Sequence, residues 1–179
     1  VTGASRGIGE ALAIGLAEHG TDVIICDLES ESRGLANTQK QIEKTGKKCW
    51  SYFLDVTKKS QIQKMVSDIL SDIGSIDILV NNAGILTPTS LEEIDEKTWD
   101  NHFEVNTKGV LLMCQSVLPH MREKKSGRII NIASIAGRQG SPTQGHYAST
   151  KSAVITLTRV LAQEVGEAGI TVNAICPGI

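Results

Sequence analysis

The stretch "VTGASRGIGEALA" (residues 1–13) decides the fold. Its first residues read as the tail of a strand, and glycines at 3, 7 and 9 lead into a run of helical character. Glycine in such a turn permits a sharp bend and a close backbone approach, so that amides at a helix N-terminus can face a pyrophosphate. A plain strand–helix turn would look similar. The context selects the dinucleotide reading, because a strand tail precedes the turn and a helix and second strand, "DVIICD" (22–27), follow it. Gly3, Ser5, Arg6, Gly7, Ile8 and Gly9 are therefore the first cofactor-binding candidates.

Asp27 closes that second strand, twenty positions after Gly7. A carboxylate there can accept both hydrogen bonds of an adenosine ribose, which favours NAD. It would oppose a 2′-phosphate about 4 Å away by several kcal/mol at an intermediate dielectric. Arg6 pulls the other way, since a guanidinium in the glycine turn could meet that phosphate. A strand-end carboxylate touching the ribose should outweigh a mobile arginine, so NAD is expected and NADP stays open.

Further along, "CWSYFLD" (49–55), "IDILVNN" (76–82), "RIINIAS" (128–134) and "ITVNAI" (170–175) are short, rich in β-branched residues and apolar nearly throughout. Strands covered on both faces read this way. Between them lie helical periods: Ile62, Met65, Val66, Ile69, Leu70 and Ile73 form one apolar stripe in 59–74, and Val154, Leu157, Leu161 and Val165 another in 152–165. The stretch 97–124 is long for one helix and holds Gly109 and Pro119, which predicts a kink or break. Repeated βαβ order implies an α/β fold, a doubly wound parallel sheet with helices on both faces. No linker or shift of composition marks a second domain, so residues 1–179 read as a single NAD(P)-binding domain.

A net charge of −2 gives no global basic field for nucleic acid, and no apolar run approaches the length of a membrane span. "REKKSGR" (122–128) reads as a solvated turn before a buried strand. The four cysteines, 26, 49, 114 and 176, lack CxxC spacing and read as reduced thiols of a cytoplasmic protein. No histidine clusters with cysteines or carboxylates, so no metal site is expected. Trp50 and Trp99 read as packing residues.

"GHYASTKSAV" (145–154) sets Tyr147 one helical turn from Lys151, in a chain with two tyrosines. Alone, this could be a surface pair worth a few tenths of a kcal/mol. Ser134 alone could be a strand-end turn residue, Asn106 a helix breaker and Asp55 the start of a turn. His146 points away from Tyr147 on a helix and reads as a rim residue at most.

Taken in order, "TGASRGIG" (2–9), "DVT" (55–57), "NNAG" (81–84), Asn106, Ser134, "YASTK" (147–151) and "PG" (177–178) resemble the short-chain dehydrogenase/reductases of the compact branch. The resemblance spans the chain and implies a Rossmann fold. It implies a catalytic tetrad of Asn106, Ser134, Tyr147 and Lys151, Asp55 accepting a hydrogen bond from the adenine amine beside Val56, and Asn82, Ala83 and Gly84 lining the adenosine side. Asn81 would tie neighbouring strands together, Pro177 and Gly178 would approach the nicotinamide, and Tyr147 and Lys151 would also touch the cofactor. Tyr147 would be acid or base, its pKa lowered by the Lys151 ammonium; Ser134 would donate to the substrate oxygen; Asn106 would steady a relay water.

The function implied is hydride transfer between NAD(P) and a small secondary alcohol or ketone. A 3-oxoacyl-thioester reductase using NADPH, a sugar, polyol or steroid dehydrogenase, and a non-catalytic dinucleotide-binding module are the alternatives. Asp27 speaks against the first, and the intact tetrad against the last. A homo-oligomer, dimer or tetramer, is implied by the resemblance alone. In the family pattern the first strand and a segment beyond "PG" are longer, so the chain reads as a fragment of a larger enzyme, expected to be poorly stable and nearly inactive by itself.

Overall fold

A computed structural model describes residues 1–178. Five strands, β1 (Val23–Asp27), β2 (Cys49–Phe53), β3 (Ile78–Asn81), β4 (Gly127–Ile132) and β5 (Ile170–Ile175), alternate with helices. The helices are α1 (Gly7–Glu18), α2 (Ser32–Lys44), α3 (Lys59–Asp72), α4 (Glu96–Phe103), α5 (Gly109–Lys124), the short α6 (Ala136–Gln139) and α7 (Gly145–Val165). β1 pairs with β2, and β3–β4–β5 form a second ladder, every pairing parallel. Val1 and Thr2 join the two ladders: the Cys26 amide donates to Val1 O at 3.0 Å, and the Thr2 amide donates to Val80 O at 3.0 Å. The spatial order β2–β1–(1–2)–β3–β4–β5 is the doubly wound arrangement that the alternation predicts.

β1 shows why helices must cover both faces. Val23 and Ile25 pack with Ala13, Ala17, Leu35 and Ile42 of α1 and α2. Cys26 and Ile24 belong to the larger core with α3, α5 and α7. Side chains alternate across a strand, so an apolar run at period one needs cover on each side. Between β1 and β3 a slot of ≈ 390 Å³ is lined by Ile24, Trp50, Ile69, Ile78, Leu79 and others.

The break expected within 97–124 falls earlier than either Gly109 or Pro119. Residues Glu104–Lys108 form a π turn that joins α4 to α5, while Pro119 lies inside α5. One wide turn inserts an extra residue and re-aims side chains without ending the helix. Asn106 sits in that turn and is fully buried. Trp99 is 39 % exposed and lies against Phe103 with ring centroids 5.0 Å apart, so it covers a surface ring rather than filling the core. No described helix is long and apolar enough to cross a membrane.

Candidate active site

The glycine turn is held by a side chain, and Asn82 supplies it. Asn82 Nδ2 donates to Thr2 O at 3.0 Å and to Gly3 O at 2.9 Å, while Thr2 Oγ1 accepts from the Asn82 and Ala83 amides, both at 3.0 Å. A Cβ on Gly9 would fall onto the Gly3 carbonyl oxygen and within 2.5 Å of Asn82 Nδ2, so α1 can approach the turn this closely only with glycine. Gly7 takes φ +60 with open space where a side chain would stand. α1 has no side-chain cap, which leaves its first amides available to an anionic group. The open cradle at Gly7 and these uncapped amides fit a dinucleotide's diphosphate.

From this turn a groove of ≈ 460 Å³ runs along the C-terminal ends of β1 and β2, past Gly3, Ser5, Arg6, Asp27, Asp55, Val56 and Gly84. The Asp27 carboxylate is fixed there by two amides, Ser5 N to Oδ2 at 3.0 Å and Leu28 N to Oδ1 at 2.9 Å. Each oxygen keeps a lone pair for a ribose hydroxyl. Arg6 is exposed and leans toward Glu31, 3.8 Å away. Asp55 is partly spent on Thr57, whose amide and hydroxyl donate to Oδ1 at 2.9 and 2.8 Å.

A second cleft of ≈ 560 Å³ shares Ile8, Asn82, Gly84 and Ile85 with the first, and Ser134, Tyr147, Lys151, Pro177 and Gly178 line its far end. The two form one continuous trough. Ser134 ends the segment after β4, where its Oγ accepts from the Ala136 amide at 3.1 Å. One turn beyond Tyr147 on α7, Lys151 Nζ lies 5.7 Å from the Tyr147 ring centroid and donates to Ile132 O at 2.8 Å. Asn106 belongs to the same shell: Nδ2 donates to Ile85 O (2.9 Å) and Thr150 Oγ1 (3.1 Å), and Oδ1 accepts from Ile85 N (2.8 Å). A Cβ on Gly84 would sit 3.2 Å from Asn106 Oδ1 and 3.4 Å from Lys151 Nζ, so glycine keeps the space between them open.

Burial pushes Lys151 down from 10.5 to about 8. The cost of keeping the ammonium in the fold is roughly 3 kcal/mol at about 1.4 kcal/mol per pKa unit. For a lysine lowered on folding, that cost is complete below about 8 and gone above 10.5. Lys151→Met is therefore expected to gain about 1–2 kcal/mol at pH 7, after losing the bond to Ile132 O. The gain should shrink between pH 8 and 10.5, as measured by denaturant unfolding, with turnover lost.

All the sequence-derived site residues thus fall on one edge of the sheet. The sequence reading missed Thr150, which is fully buried, accepts from Asn106 and donates to Tyr147 O at 2.7 Å. It also missed Thr2, whose hydroxyl accepts from two amides of the 81–84 segment. Both lie inside quoted motifs, so their position was visible and their bonding was not. Asn81 does tie strands, donating to Asn131 Oδ1 at 2.9 Å. His146 is not a rim residue, because it is fully buried.

The family model described as short chain dehydrogenase matches residues 1–179. The chain is a short-chain dehydrogenase. This short-chain dehydrogenase is 41% identical over 178 residues to the 3-oxoacyl-[acyl-carrier-protein] reductase FabG of Staphylococcus epidermidis, covering 99% of the chain and 72% of that protein. It is 39% identical over 178 residues to the FabG reductase of Thermotoga maritima, again covering 99% and 72%. Among solved structures, NAD+-bound xylitol dehydrogenase superposes with a TM-score of 0.95 at 32% identity, over 99% of this chain and 68% of that one. As a member of the family, the short-chain dehydrogenase is an NAD(P)-dependent oxidoreductase acting on CH–OH groups.

Proposed function

We propose that residues 1–179 form a single NAD(P)-binding domain that carries hydride between NAD and a secondary alcohol or ketone, with Tyr147 as acid and base. The observation that carries this reading is the continuous trough, with Asp27 at one end and Ser134, Tyr147 and Lys151 at the other. When bound, the nicotinamide supplies or accepts the hydride. The chain's own task is to place the substrate oxygen and move one proton.

Free tyrosine titrates near 10, and only about one molecule in a thousand is phenolate at neutral pH. Lys151 Nζ is held near the Tyr147 ring by Ile132 O, and Tyr147 gives its proton to a forming alkoxide and takes it back from an alcohol. Ser134 Oγ donates to the same substrate oxygen. Asn106, with its amide committed to Ile85 and Thr150, holds that segment against α7 and keeps the approach to Lys151 open for a proton-carrying water.

The fixed Asp27 carboxylate, with Glu31 lining the same groove, favours NAD over NADP. A 2′-phosphate 4 Å from a carboxylate is opposed by on the order of 4 kcal/mol at an effective dielectric of about 20. Asp27→Ser is expected to shift the ratio of kcat/KM values toward NADP by about 100-fold; an unchanged ratio would remove Asp27 from this role. The similarity to 3-oxoacyl-[acyl-carrier-protein] reductases supports a second reading, reduction of a 3-oxoacyl thioester. Xylitol with NAD+ and acetoacetyl-coenzyme A with NADPH or NADH, assayed in parallel, separate the two.

A further inference from the structure

His146 immediately precedes Tyr147, and its ring is fully buried against His102, 1% exposed, with ring centroids 4.0 Å apart in an edge-to-face contact. His102 is fully bonded. Its Nδ1 lies 2.7 Å from Thr98 O, which can only accept, and its Nε2 lies 3.3 Å from the Thr87 amide, which can only donate. Those two partners match the tautomer with its proton on Nδ1. Neither nitrogen of His146 has a hydrogen-bond partner among the described residues. A buried imidazole with no acceptor in hydrogen-bonding geometry holds its place neutral at less cost than charged.

We propose that His146 is a positioning residue for Tyr147: its neutral ring, wedged against His102, seats the first turn of α7 on α4 and the 85–91 segment, and proton uptake by the ring unseats that turn. This rests on Tyr147 being the proton donor, as argued above. The seat has two walls and a tie. α4 supplies His102; the 85–91 segment supplies Thr87 and, through Leu91, the side chain nearest Gly145; the bond from Thr89 N to Thr143 O at 2.8 Å ties that segment to the entry of α7.

None of the neighbouring carboxylates gives the His146 ring an acceptor. On α4, Glu96, Lys97 and Asp100 are exposed; Asp95 caps the Thr98 amide, and Glu104 pairs with Lys108. In the 85–94 segment Glu92 and Glu93 are exposed, and beyond it Arg138 of α6 is too. On α7, Lys151 is bound to Ile132 O. Burial and the neighbouring His102 hold His146 below its ordinary 6.5; the Thr87 backbone acts the other way from outside hydrogen-bonding geometry. As pH falls below 6.5, the unfolded chain therefore takes up a proton that the seated ring refuses, and stability declines until the folded value is passed. Carbonyl reduction isolates this effect, because a tyrosine acid stays protonated as pH falls and should not itself cause a loss.

The chain has two tyrosines, Tyr52 and Tyr147, so ring-labelled tyrosine gives a two-signal NMR spectrum, which Tyr147→Phe assigns. Titrated from pH 7.5 to 5, the Tyr147 signal should move with a midpoint below 6.5, in step with the imidazole signals of His146, while Tyr52 stays still. His146→Phe, which keeps a ring and cannot take a proton, should abolish the movement and flatten the fall in melting temperature over the same range. Should that variant fail to fold, His146→Gln carries the same expectation. A Tyr147 signal that moves equally in a folded variant, or a His146 ring that titrates at 6.5 or above without disturbing Tyr147, overturns the proposal. Because the signal needs no substrate, a wrong assignment of Tyr147 as proton donor would show only in turnover.

Discussion

Replacing Tyr147 with Phe is expected to lower turnover about 1,000-fold, with NAD affinity within a few-fold of the parent. The substitution removes one oxygen and leaves the ring under which Lys151 sits, 5.7 Å from its centroid. Lys151 remains tied to Ile132 O and the trough keeps its lining, so the groove that would take the dinucleotide is untouched. On the proposed role of Tyr147, what disappears is the proton that must reach the substrate oxygen as hydride arrives. A positioned general acid contributes about 100- to 10,000-fold, and the middle of that range is expected because, on the same reading, Ser134 would still donate to that oxygen. NAD binding by calorimetry and turnover on the best substrate of the paired screen give the two numbers. Turnover within threefold of the parent would assign the proton to another group.

The second large effect belongs to Gly9. Gly9→Ala places a methyl group onto the Gly3 carbonyl oxygen and within 2.5 Å of Asn82 Nδ2, and both of those atoms are already bonded to each other. Neither a backbone carbonyl nor a side chain clamped on two carbonyls can step aside cheaply, so α1 must back away from the turn. Overpacking of this kind costs about 1–3 kcal/mol or more. The same displacement spoils the amide cradle, so NAD affinity should fall at least 100-fold and the melting temperature by roughly 5–10 °C. Gly15→Ala, on the same helix with open space at its Cβ, is the control and should hold or gain stability.

The strands were legible in the sequence to within two or three residues, because five short β-branched runs carry no competing helical period. The start of α7 was legible only through the Tyr147–Lys151 spacing: the apolar stripe begins near 152, whereas the helix opens at Gly145, in a first turn built from glycine, histidine and tyrosine with no side-chain cap. The π turn at Glu104–Lys108 was also hidden, since one extra residue in a turn barely alters an apolar pattern. Tyr147 and Lys151 announce themselves by helical spacing. His102 and His146 stand 44 positions apart, and their meeting is a product of how α4 folds back on α7.

The join made by Val1 and Thr2 has a mechanical consequence. Among the described residues, the β1–β2 ladder reaches the β3–β4–β5 ladder through a pair of residues, and the clamp of Asn82 on Thr2 and Gly3 lies just above it. Asp27 and Asp55 stand on one side of that seam; Ser134, Tyr147 and Lys151 stand on the other. A ligand long enough to touch both groups would therefore bridge the two ladders, and its grip on the protein would also hold one half of the sheet to the other.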